Sequence, residues 1–206
     1  MGLFSRKSSK GKAMDKTEVI KTLEISIVTW AGLSTKPIND AWASLSSENP
    51  MSVKSNFIVR SEMLWFFLHM MDRYAFAIGG PEVRAALQDA IVESAIRELV
   101  ATSFDSSHVK KGFDVEGWKS RMVSDALEDF NEAGLDYSSC TALVTESKAD
   151  FSREESILGK LGARICRFTE QNPSNLNLRL LIWATAAEFL AKSGLKQQVE
   201  ELIAKS

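Results

Sequence analysis

Residues 57 to 78 read Phe-Ile-Val-Arg-Ser-Glu-Met-Leu-Trp-Phe-Phe-Leu-His-Met-Met-Asp-Arg-Tyr-Ala-Phe-Ala-Ile, with neither glycine nor proline. At about 100° per residue a helix built from this run is apolar around almost its whole circumference and has no face suited to water. It is expected to be the central helix, with the rest of the chain packed around it. Glu62, His69 and Arg73 fall in one narrow stripe along it, with Asp72 beside them. A buried polar stripe must be satisfied by partners or by a ligand, because an unpaired polar group in an apolar interior is costly.

The remaining sequence is punctuated for helices. Asp15-Lys-Thr-Glu18 has the spacing of a capping box and opens an apolar pattern at Ile20, Leu23, Ile27 and Trp30, which Gly32 is expected to end. Pro37 suits the first position of a short second helix carrying Ile38, Ala41, Trp42 and Leu45. Gly79-Gly80-Pro81 stops the central helix and starts its antiparallel neighbour, which runs to about Thr102. Asp114 caps a helix with Val115, Trp118, Met122, Ala126 and Phe130 on one face, ending at Gly134. A shorter piece is expected over Ser138 to Glu146. Ser152-Arg-Glu-Glu155 forms a second capping box before Leu158, Leu161, Ile165 and Phe168, and Gly159, Gly162, Ala163 and Cys166 give that helix a face of small residues. Asn175 opens a helix closed by Gly194, and Leu195, Val199, Leu202 and Ile203 define the last one. No stretch alternates apolar and polar residues between turn dipeptides, so no sheet is expected. The fold expected is all-α, a single compact array of about eight or nine helices over residues 15 to 206, with any boundary between two halves at the loop near 103 to 113.

Charge separates the N-terminus from this body. Residues 1 to 16 hold five basic side chains and one acidic, a balance of +4; of the 25 basic and 27 acidic residues in the chain, 20 and 26 remain, leaving −6 on the rest. An acidic body argues against nucleic-acid binding. Residues 1 to 14, polar and rich in Ser, Lys and Gly, are expected to form a disordered basic arm, in which Arg6, Lys7, Lys10 and Lys12 are candidates for weak contact with an acidic partner or an anionic membrane surface. The longest run without a charged residue, Ile25 to Thr35, is too short to cross a bilayer, and Ser, Lys and Gly follow Arg6 and Lys7 where a secretory leader would be apolar. Cys140 and Cys166 form no Cys-x-x-Cys pair, which fits a reduced, cytoplasmic protein.

Two functional readings follow from the stripe. In one, Glu62, His69, Asp72 and Arg73 form an internal network in which Arg73 neutralises an acid and His69 donates to a carbonyl or to Asp72, and the chain is a non-catalytic binding or regulatory protein for a protein partner or a second copy of itself. In the other, the same residues with Glu188 bind a small ligand or a metal, as the polar interior of a bundle can. The spacing lacks Glu-x-x-His and His-Glu-x-x-His, no Gly-x-Ser-x-Gly nucleophile motif occurs, and the glycines of 159 to 162 follow no strand and precede no Gly-Lys-Ser, so no enzyme class or cofactor is indicated. His108, beside Ser106, Ser107, Lys110 and Lys111, reads as part of a solvated loop.

Overall fold

The computed structural model of the chain describes residues 16–46, 50–104, 112–140 and 156–204. These form six helical elements and no strand: α1 (Lys16–Leu45), α2 (Val53–Ser103), α3 (Val115–Ser138), α4 (Ile157–Phe168), α5 (Leu176–Ser193) and α6 (Leu195–Ala204). The eight or nine helices expected from punctuation are therefore too many among the described residues. Arg6, Lys7, Lys10, Lys12, His108 and the segments Thr141 to Glu146 and Ser152 to Glu155 lie outside them.

The largest departure from expectation is α1, which runs unbroken through Gly32 and Pro37. Leu23, Ile27, Ala31, Ile38 and Trp42 are all buried, and Ser34, also buried, fills the place between Ala31 and Ile38. These positions recur at helical intervals, so one continuous buried face outweighs the local cost of a glycine and a proline. The Ser34 and Thr35 hydroxyls donate back to the Ala31 and Gly32 carbonyls, at 2.7 Å each.

Element α2 turns back on itself. Gly80 has φ 77° and ψ −172°, a left-handed backbone that glycine tolerates, and Pro81 follows it. Arg60 donates to Ser103 and Thr102, 3.1 Å each, and Arg84 donates to Asp72 at 2.6 Å. A straight helix would hold Arg60 and Ser103 about 64 Å apart at about 1.5 Å per residue. The two arms are thus antiparallel neighbours, as the Gly-Gly-Pro signal predicts.

The first arm is the centre of the molecule. Every residue from Ser61 to Asp72 is buried, and its apolar members share one core with residues from all six elements. Burial stops before the end of the apolar run, since Phe76 and Ile78 are exposed. The α1 helix packs along the hairpin, with Ser94 donating to Glu24 at 2.7 Å. Capping follows the sequence at Asp114, whose carboxylate accepts from Gly117 N at 2.9 Å, and at Asn175, which accepts from Leu178 N at 3.1 Å. Helix α4 is capped by Ser156, which accepts from Gly159 N at 3.1 Å. No described helix is long and apolar enough to cross a membrane.

Candidate functional site

Glu62 sits in the middle of the buried run, and its partner comes from α4. Arg164 Nε donates to Oε2 and Nη2 to Oε1, both at 2.9 Å, a fork that matches the carboxylate edge to edge. Arg164 is placed there because it shares the core-facing side of α4 with Leu161, both buried, and at Gly162 the helix lies against α5, where a built Cβ would make ordinary contact with Arg179 at 3.5 Å. The third nitrogen, Nη1, donates to Asp136 on α3, and Arg167 one turn on bonds Glu132 at 3.1 Å. Burial pushes the Glu62 carboxyl above the ordinary carboxylate range and Arg164 pulls it back. Burial likewise works against charge on Arg164, but its hydrogen bonds to Glu62 and Asp136 prevail and keep the guanidinium protonated. This end of the stripe is a structural ion-pair network.

Arg73, expected to neutralise a buried acid, does something else. Its Nη2 donates to the Tyr137 carbonyl at 2.8 Å and to the Cys140 carbonyl at 2.7 Å. The last carbonyls of a helix lack intrahelical donors and carry partial negative charge, so a cation there closes the end of α3. The acid beside it, Asp72, is held by Arg84 across the α2 turn at 2.6 Å, and the Arg84 guanidinium lies 6.0 Å from the Phe76 ring centroid.

His69 is wedged against α3. Its ring stacks on Phe130 at 4.6 Å between centroids and 8° between planes, and meets Tyr137 edge-on at 5.1 Å. Gly134, expected to end α3, lies inside it, and its role is this close approach: a Cβ at Gly134 would fall 3.1 Å from His69 Cε1. Burial depresses the His69 pKa from 6.5 to about 4, against the opposing pull of a backbone hydrogen bond with Phe130 and of the Asp72 charge. The ring is therefore neutral near pH 7. With the proton on the nitrogen bonded to Phe130, Nε2 presents a bare lone pair. Among the described residues Nε2 has no hydrogen-bond partner, and neither has the buried Tyr137 hydroxyl.

These residues border an open cavity of about 620 Å³ between the α2 turn and α3. His69 and Tyr137 stand in its wall, Asp72, Arg73 and Arg84 are its charged members, and Phe76 and Leu135 form an exposed apolar rim. The residues of the stripe were legible as candidates, but the structure divides them: His69, Asp72 and Arg73 line the cavity, whereas Glu62 is turned to the Arg164 network. Glu188 joins neither; it is exposed on α5 and pairs with Lys192 one turn later. Tyr137, Arg84 and Arg164 escaped the sequence reading. Arg164 carried a signal, an arginine on the same side of α4 as Leu161 and Phe168; Tyr137 and Arg84 carried none beyond their helical positions.

No group of His, Cys, Asp and Glu among the described residues is arranged to hold a metal ion. Burial pushes the Cys166 thiol up to about 11 and raises that of Cys140, so neither is disposed to act as a thiolate. No family model, curated protein or solved structure matches the chain.

Proposed function

We propose that this chain is a non-catalytic helical binding protein that takes one small polar molecule in the cavity between the α2 turn and α3. The observation that carries this reading is an open cavity of about 620 Å³ with Arg84 in its wall, whose Nε is held by Asp72 and whose two terminal nitrogens make no hydrogen bond among the described residues. A volume of about 620 Å³ lies within the range of small-molecule sites. Binding is favoured over turnover because the nearby carboxylates are committed to ion pairs, Glu62 with Arg164 and Asp72 with Arg84. His69 then has no carboxylate partner to orient it as a general base.

The test uses the full chain. Native mass spectrometry of the protein as purified looks for a bound molecule, and a small-molecule screen by NMR reads the His69 ring signals. Arg84→Gln removes the unbonded guanidinium donors from the cavity wall, so bound molecules should be lost while the fold persists. A screen in which no compound perturbs the His69 ring would overturn the reading.

A further inference from the structure

We infer that the molecule this cavity takes is a small monocarboxylic acid with an apolar body, its carboxylate on the outer edge of the Arg84 guanidinium and its hydrocarbon against Phe76 and Leu135. The inference rests on the ligand cavity proposed above and adds the class of ligand. Arg84 sets the head. Its Nε donates to Asp72 at 2.6 Å, so the edge formed by its two terminal nitrogens makes no hydrogen bond among the described residues, and the side chain is 45% exposed. A carboxylate meets such an edge through two parallel, charge-assisted hydrogen bonds and leaves Asp72 in place. A primary amide brings one acceptor where the fork takes two, and an ammonium is repelled.

The lining decides between one negative charge and two. Among the described residues the charged ones lining the cavity are Asp72, Arg73 and Arg84, and burial keeps His69 neutral near pH 7, so two cations stand against one anion. A monoanion cancels the excess. A dianion such as a phosphate monoester leaves a net negative charge beside Asp72 and gains less from the same fork.

The rim sets the body. Phe76 lies near the end of the apolar run that starts at Phe57, past the point where core burial stops, and it is 54% exposed in the cavity wall; Leu135 on α3 is 76% exposed there. The Phe76 ring centroid lies 6.0 Å from the Arg84 guanidinium, so apolar surface begins beside the charged edge. A hydrocarbon attached to the head covers these side chains, and each methylene taken out of water adds to affinity.

The probes are acetate, butyrate, hexanoate and 3-phenylpropionate, each with its amide and the amine of the same length, together with hexyl phosphate. Binding to the full chain at pH 8 is followed by NMR through the Leu135 methyl groups, with those of Leu176, exposed on α5, as the control for non-specific contact. Affinity should rise about twofold to fourfold per methylene along the straight-chain acids. The amide of the tightest acid should bind about tenfold or more weakly, and hexyl phosphate more weakly than hexanoate. Arg84→Lys keeps a cation for Asp72 and removes the fork, so most of the preference for acid over amide should go. Leu135→Ser, at an exposed position, should flatten the rise with chain length and keep that preference. An amide or amine that binds as tightly as its acid, or a hexyl phosphate that binds more tightly than hexanoate, would overturn the monocarboxylate class and leave the cavity as a binding site. Acids that bind with no dependence on chain length would overturn the apolar body. If no probe shifts Leu135 more than Leu176 at millimolar concentration, both the class and the cavity proposal fall.

Discussion

The Glu62 carboxylate and the Arg164 guanidinium meet edge to edge, with both contacts at 2.9 Å and only 3% and 1% of the two residues exposed. Isolated, either charge would be intolerable at that depth. Arg164→Met should therefore destabilise the fold by about 3–5 kcal/mol in a denaturant melt, since it strands Glu62. The double change Glu62→Met with Arg164→Met should recover much of that loss, because a same-sized apolar pair leaves nothing unpaired. Arg73→Met should cost less, about 1–3 kcal/mol, because it frees carbonyls at a helix end rather than a buried carboxylate.

Two glycine substitutions should move stability in opposite directions. Nothing lies within 4 Å of a Cβ built on Gly32, in the middle of α1, so Gly32→Ala should stabilise by about 0.5–1 kcal/mol. Gly134→Ala has the same helical gain but meets His69 Cε1 at 3.1 Å, and the ring is boxed in by Phe130 and Tyr137. It should lose about 1 kcal/mol net, since overpacking costs about 1–3 kcal/mol and propensity returns about 1. Thermal melts of the two variants side by side check this.

At the centre of the hairpin Leu68 is fully buried. Leu68→Ala should cost about 2–5 kcal/mol, and native-state hydrogen exchange should be slowest over Ser61 to Asp72.

Acid should weaken the fold through His69. The folded ring titrates at about 4 against 6.5 for an ordinary histidine. Between those values the unfolded chain binds a proton that the folded chain refuses, so this contribution is full above about pH 6.5 and is lost as pH falls to about 4. The whole loss is about 3 kcal/mol at about 1.4 kcal/mol per unit. Burial raises the Glu62 carboxyl, which acts in the opposite sense, so the comparison is with His69→Phe, which keeps Glu62. Urea melts from pH 4 to pH 7.5 should show a steeper fall in the native chain than in the variant.

Much of this was legible because helices are written locally. The all-round apolar run, the Gly-Gly-Pro turn, the caps at Asp114 and Asn175 and the left-handed Gly194 at the end of α5 each carry their own physical signal. Where tertiary burial overrode punctuation, as along the face from Leu23 to Trp42, the local stop signals misled. Pairing was harder to read than burial. A lone Glu62 on an apolar helix demands a cation, but arginines on several helices satisfy the demand equally until packing is known, and the choice fell on Arg164 rather than Arg73. Gly134 shows the same limit, since a glycine that ends a helix and one that admits a neighbour's ring look alike in sequence.

The state of the His69 imidazole is the most direct measure of whether a buried, unpartnered acceptor stands in the cavity wall. Nitrogen and carbon NMR of the histidine rings, followed from pH 3.5 to pH 8 with and without ligand, separates the tautomers and gives the pKa. The account predicts a neutral ring protonated on the nitrogen facing Phe130, with an unprotonated Nε2 down to about pH 4 and a shift of that Nε2 signal on ligand binding. A ring that titrates near 6.5, or carries its proton on Nε2, would contradict it.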